Sequence, residues 1–273
     1  LSLLNSNKDT FGCKKVLFPF RIFVGQLVSC LLWLLYFTII YNFLFVRGEF
    51  EKMVNLITVV LCMVGFLLLC FYGEFKKEKW TRGIGKMMAS NCFLYIAISS
   101  LLHYQLPDYL YVPMIWIIIG LICSWWGDLF LLSRNSIIFL LGLISFLLAH
   151  VCYIVSFLIV KVDPFLTISA LVISIVPAIG IAYWLNPNLG SMRLPAYMYM
   201  VIISCMVSLA IGAWAYSGLW NLPVGALMFY VSDMFVARDR FRKSDNWNFV
   251  IGGPLYFAAQ VFLASTPLWA SIS

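Results

Sequence analysis

Residues Tyr109–Leu132 read YLYVPMIWIIIGLICSWWGDLFLL, an apolar run whose only charged side chain is Asp128. A run of this length meets the roughly 20 apolar residues a helix needs to cross a bilayer. Lipid offers the backbone no hydrogen bonds, so the segment must satisfy its own polar groups as a helix. The rest of the chain has the same character: of 273 residues 63% are hydrophobic and 11% charged, against about 25% charged in soluble domains. The composition implies an all-α, polytopic transmembrane helix bundle.

Further runs on either side predict spans at about Val16–Val46, Met53–Tyr72, Ile84–Leu102, Ile137–Val160, Phe165–Leu185, Pro195–Tyr216, Asn221–Ala237 and Phe249–Trp269, which makes nine with the first run. Pro107, Pro164, Pro187, Pro195 and Pro223 sit at span edges, and Pro177 and Pro254 are kink candidates. With nine spans and a cytoplasmic amino terminus, all of the 18 lysines and arginines except Arg47, Lys52 and Lys161 fall on the cytoplasmic side. The carboxyl terminus is then expected outside. The first apolar segment is too long for a secretory signal and no cleavage site follows it, so it reads as an anchor. No repeat, low-complexity tract or long linker divides the chain. Residues 1–273 read as a single transmembrane domain, with one helix in 1–50 and the others in 53–270.

The net charge of +7 resides in short loops beside spans, where it sets orientation, and no nucleic-acid partner is expected. Eight cysteines are scattered without a CxxC pair, and the two histidines form no HExxH, so neither a metal site nor a cofactor is implied. The loops are too short for a soluble catalytic module, which leaves any chemistry to the bundle.

An ionised acid within hydrocarbon is costly and often marks function. A second one follows the run Gly225-Ala226-Leu227-Met228-Phe229-Tyr230-Val231-Ser232, as Asp233. Asp128 and Asp233 each fall one turn before the cytoplasmic end of their expected spans, roughly 6 Å below the same surface. Ser124 shares a face with Asp128, as do Phe229 and Tyr230 with Asp233. The alternative is that each acid reaches out to water, or pairs with Arg134 or Arg238. His150 lies deeper, on one face with Phe146 and Tyr153, as a proton relay or as a hydrogen-bonded core residue. Tyr256 and Gln260 form a polar strip on the last helix, suited to catalysis or to holding helices together. Lys86 opens its span where a lipid phosphate would lie, or is an ordinary orienting lysine.

From about Trp80 to Leu263 the chain resembles the YhhN-like lysoplasmalogenases, a family of polytopic membrane proteins. The resemblance rests on Gly85-Lys86, Gly127-Asp128-Leu129-Phe130, Phe139-Leu140-Leu141-Gly142, Ala149-His150-Val151-Cys152-Tyr153, Pro195-Ala196-Tyr197, Gly225-Ala226 with Ser232-Asp233, and Tyr256-Phe257-Ala258-Ala259-Gln260, in order and spacing. Met87 stands where the family often has proline. Members typically have eight spans, so Val16–Val46 looks like an added helix.

The resemblance implies hydrolysis of the vinyl-ether bond of a lysoplasmalogen to a fatty aldehyde and glycerophosphoethanolamine or glycerophosphocholine. Asp128 and Asp233 are then the expected acid–base pair, by analogy with glycosidases, and His150 a relay. Lys86 would hold the phosphate, and Ser124, Tyr153, Tyr197, Tyr230, Tyr256 and Gln260 are the candidate substrate-binding residues. The expected partners are a lysophospholipid substrate and membrane lipids, in a bacterial inner membrane or, in a eukaryote, the endoplasmic reticulum. The rival reading is a small lipid or proton-coupled transporter or flippase using the same acids.

Overall fold

The computed structural model describes residues 49–133 and 135–272. The expected first span, Val16–Val46, and Arg134 lie outside them. The chain divides into two units, Leu1–Glu51 and Lys52–Ser273, and the second holds the helix bundle. The described residues contain no strand and nine α-helices: α1 (Glu49–Phe75), α2 (Lys79–His103), α3 (Asp108–Phe130), α4 (Ser136–Val160), α5 (Pro164–Leu185), α6 (Arg193–Ser217), α7 (Asn221–Phe241), α8 (Asn246–Ala264) and α9 (Thr266–Ile272). Seven helices among the described residues are long and apolar enough to cross a membrane. The protein is an integral membrane protein.

Local chemistry sets the helix ends. Asn135 Oδ1 accepts from the amides of Ile137 and Ile138, at 2.8 and 3.4 Å, and caps α4. Asp163 Oδ1 accepts from Leu166 N at 2.7 Å and caps α5, whose first residue is Pro164. A side-chain oxygen there satisfies amides that have no partner within the helix. At the end of α6, Gly218 takes the left-handed conformation, with φ 76°, which glycine adopts without a side-chain clash.

Two expected boundaries are corrected. The helix placed at Asn221–Ala237 continues as α7 to Phe241, because Arg238, Asp239 and Arg240, which read as a loop, find partners while remaining helical. With that charged turn, α7 is not among the seven apolar helices. The span placed at Phe249–Trp269 is broken: α8 ends at Ala264, and Ser265, whose hydroxyl donates to Val261 O at 2.7 Å, leads into α9.

Six helices close a ring, in which α2 packs on α3, α3 on α4, α4 on α6, α6 on α7, α7 on α8, and α8 back on α2. α5 packs chiefly on α6 and buries only Leu185 among its residues, while α1 meets α2 at Gly73 and Gly85. The tight α3–α4 pair is fitted by size. A Cβ on Gly120 would stand 2.4 Å from the Tyr153 ring, and one on Gly127 would stand 2.6 Å from the Phe146 ring. Gly120 and Gly127 are two turns apart on α3, as Phe146 and Tyr153 are on α4, so two rings seat in two notches. That packing aims both rings into the ring of helices.

The partly polar α2 is the most buried of the candidate spans. Its polar groups are spent across the interface: Asn91 Oδ1 accepts from Trp125 Nε1 at 2.9 Å, and Ser90 Oγ donates to Asp128 at 2.7 Å. Such bonds satisfy groups that lipid would leave bare.

Candidate active site

A cavity of about 270 Å³ opens inside the helix ring, and both Asp128 and Asp233 line it. Asp128, one turn before the end of α3, is buried and held by three donors. Lys86 Nζ lies 3.0 Å from Oδ1, and the hydroxyls of Ser90 and Tyr256 each donate to Oδ2 at 2.7 Å. A cation with two hydroxyls is a donor set that suits a carboxylate. Lys86, expected at a lipid phosphate, is thus engaged by Asp128, since the apolar wall gives its ammonium a better partner inside than out.

Behind Tyr256 runs a buried chain of polar groups. Gln260 Nε2 donates to the Tyr256 hydroxyl at 3.0 Å, and the Tyr153 hydroxyl donates to Gln260 Oε1 at 3.1 Å. Ser124 Oγ stands 3.4 Å from the Tyr153 hydroxyl. An amide cannot exchange its donor and acceptor ends without turning over. Gln260 therefore fixes the direction of the chain and obliges the Tyr256 proton to point at Asp128. Ser124, Tyr153 and Gln260, expected at the substrate, lie behind the cavity wall as its support, and Tyr256 lines the cavity.

Asp233 has different company. Tyr199 donates its hydroxyl to Oδ2, and His150 Nε2 stands 3.8 Å from the same oxygen. His150 is fully buried, and its Nδ1 meets Phe146 O at 2.5 Å. A carbonyl can only accept, so Nδ1 carries a proton and Nε2 of a neutral ring presents its lone pair to Asp233. No lysine or arginine is ion-paired with Asp233 among the described residues. Arg238, the alternative partner, gives both Nη atoms to Asp245, at 2.8 and 2.9 Å. Phe229, fully buried, lies between the two acid networks, with its ring centroid 4.7 Å from His150 and 5.3 Å from Tyr256.

Two sequence-derived candidates fall differently. Tyr230 lines the cavity with a buried hydroxyl. Tyr197 does not line it, because its hydroxyl donates to Asn186 Oδ1 at 2.8 Å and its ring packs on the Leu185, Leu189 and Ala196 cluster. The residue on this stretch that reaches the site is Tyr199, which sequence reasoning misses. Two residues along a helix turn the side chain by about 200°, so only one of the pair can face Asp233. Sequence reasoning misses Ser90 as well, although it lies one turn after Lys86 on the same face of α2.

Residues of the α7–α8 corner also line the cavity and are tied to one another. Arg238 donates to Asp245 and to Asn248 Oδ1, and Asn248 Nδ2 donates to Asp239 Oδ1 at 3.0 Å. Hydrogen bonding to Arg238 holds the Asp245 carboxyl below its usual range, with the charges of Arg238 and Lys243 adding to it. A depressed carboxyl contributes stability that is present above its unfolded value of about 3.9 and is lost as pH falls through its lower folded value. Trp247 fluorescence therefore holds steady down to about pH 4 and changes with a midpoint below it. The transition disappears in Asp245→Asn.

Among the described residues no group of three or more histidine, cysteine, aspartate or glutamate side chains could hold a metal ion. Two proteins named lysoplasmalogenase, from Mycobacterium bovis and Mycobacterium tuberculosis, are each 32% identical to the chain over 132 residues, which is 46% of this chain and 50% of theirs. The chain spans about half the length of the curated relatives it matches. No solved structure matches it. The YhhN family is matched over residues 92–266, a stretch running from α2 to the start of α9 that contains both carboxylates and their tyrosine, histidine and glutamine partners, and the chain belongs to that family.

Proposed function

We propose that this protein is a lysoplasmalogenase, a membrane hydrolase that cleaves the vinyl-ether bond of a lysoplasmalogen to a fatty aldehyde and a glycerophospho-alcohol. The family, and two relatives bearing that name over half their length, support the reaction class. The observation that carries the chemistry is the contrast between two acids lining one cavity: Asp128 is paired with a cation and Asp233 is not.

Vinyl-ether hydrolysis begins with a proton delivered to the β-carbon, which leaves an oxocarbenium-like cation on the α-carbon and its oxygen. Asp233 is the donor in this scheme, since a carboxyl facing a tyrosine and a neutral imidazole can carry the proton. The Asp128 carboxylate, held by Lys86, Ser90 and Tyr256, stabilises the cation electrostatically. Water then adds to the α-carbon and gives its proton to the Asp233 carboxylate, directly or through His150 Nε2. The resulting hemiacetal collapses to aldehyde and the freed glycerol hydroxyl, so one water is consumed and the acid is regenerated. Pairs of carboxylates in unlike surroundings divide acid and charge-stabilising roles in this way.

On the same reading the cavity mouth faces the cytoplasmic leaflet, where a lysolipid enters sideways. The test is aldehyde release by purified protein in detergent. Alkenyl lysolipid yields aldehyde, the 1-acyl ester of the same chain length yields none, and absence of aldehyde from both overturns the proposal.

A further inference from the structure

We propose that the cavity mouth is a recognition site for a zwitterionic headgroup, with Arg82 and Arg240 holding the phosphodiester and Asp239 holding the ammonium. This rests on the reading of the cavity as a lysophospholipid site. The lysine expected at the phosphate is committed to Asp128, so the phosphate needs other cations. Arg82 and Arg240 both line the cavity.

The two guanidinium groups are fixed on one turn. Arg82 Nη2 donates to Leu132 O at 3.2 Å, and Arg240 Nη2 donates to Ser136 Oγ at 3.1 Å. Leu132 and Ser136 are four residues apart across the α3–α4 connection, a span of at most roughly 14 Å even fully extended. Each group is preorganised as well. Arg82 Nη1 donates to Glu74 Oε2 at 2.9 Å, and the Arg240 guanidinium lies 4.4 Å from the Phe139 ring centroid. Arg82 Nε is buried and meets no acceptor among the described residues. A guanidinium presents its N–H groups in a planar fork that matches phosphate oxygens, and the Nε–H left over on the anchored Arg82 is a donor still to be satisfied.

The acids at the mouth decide against a purely anionic ligand. Glu74 is paired with Arg82 and Asp245 with Arg238. Asp239, next to Arg240 in the chain and lining the same cavity, has no ion-pair partner among the described residues and accepts only from the neutral amide of Asn248. A phosphate with an attached ammonium matches two cations beside one such carboxylate.

The test uses full-length protein in detergent and reads binding, so that it stands apart from catalysis. The probes are ester-linked lysophosphatidylethanolamine, lysophosphatidylglycerol, monoacylglycerol of the same chain, and inorganic phosphate. Wild type binds the ethanolamine lipid most tightly, then the glycerol lipid, then monoacylglycerol, with about tenfold between first and last. Arg82→Gln and Arg240→Gln each weaken both phospholipids about five- to tenfold and leave monoacylglycerol binding unchanged, which also reports that the variant is folded. Asp239→Asn brings the ethanolamine lipid down to the level of the glycerol lipid. Because Arg82 also ties α1 to the α3–α4 turn, Arg240→Gln carries the test if Arg82→Gln does not fold. Phospholipid binding unchanged in Arg240→Gln overturns the proposal, as does displacement of the lipid by equimolar inorganic phosphate, which would mark a free-anion site. A protein that binds in this order and releases no aldehyde retains the headgroup site and loses only the proposed reaction.

Discussion

Asp233→Asn lowers aldehyde release by about 10²–10⁴-fold, the range that a positioned general acid contributes, and leaves the protein folded. The amide is nearly isosteric with the acid and keeps an oxygen to accept from Tyr199. It has no exchangeable acidic proton to give the β-carbon. No lysine or arginine pair is broken, because neither is ion-paired with Asp233 among the described residues, and His150 Nε2 stands 3.8 Å away. Thermal unfolding in detergent therefore stays close to wild type while turnover collapses.

Asp128→Asn separates the two acids. Activity falls by a similar factor, and the protein is also destabilised, since Lys86 loses its carboxylate within a wall where its side chain is only 15% exposed. Stranding one member of a buried pair costs about 3–5 kcal/mol. The double variant Lys86→Met with Asp128→Asn recovers stability, because no charge is left without a partner, and recovers no activity. Aldehyde release within threefold of wild type in either single variant, or recovery of turnover in the double, would refute the assigned roles.

Much of this arrangement was legible in the chain because hydrocarbon makes polar residues conspicuous. Asp128 and Asp233 stand out against apolar runs, and their distance from the span ends was enough to suggest a common depth. Tyr256 and Gln260, one turn apart, form a strip that the structure joins to Asp128. What the sequence hides is pairing between distant segments of ordinary composition. Tyr199 is one of 14 tyrosines, and nothing local distinguishes it from Tyr197; the choice between them depends on how α6 is rotated in the ring. Lys86 and Ser90 were a readable pair, since residues one turn apart on α2 share a face, but a lysine at a span mouth also fits a lipid phosphate. The helical course of Arg238, Asp239 and Arg240 was obscured for a related reason. Charge at a span end normally signals a loop, and only the partners on α8 and α4 keep this turn wound.

For Gly85→Ala the sign of the effect is a contest between two terms. In an isolated helix alanine is favoured over glycine by about 0.8–1.0 kcal/mol. Here the added Cβ would stand 2.6 Å from Cys70 N and 2.8 Å from Phe66 O, both backbone atoms of α1. Backbone cannot turn aside as a side-chain tip can, so α1 and α2 must part, at the cost of about 1–3 kcal/mol or more that overpacking brings. The clash outweighs the propensity. Gly65→Ala on the exposed face of α1 is the matched control: nothing lies within 4 Å of its Cβ, so only the propensity gain remains and the variant is as stable as wild type or slightly more so. Moving α2 also carries the neighbouring Lys86 away from Asp128, and Gly85→Ala therefore loses turnover along with thermal stability, whereas Gly65→Ala keeps both. Equal unfolding temperatures for the two alanine variants would show that the helices do not meet at Gly85, and would remove the packing that sets Lys86 against its carboxylate.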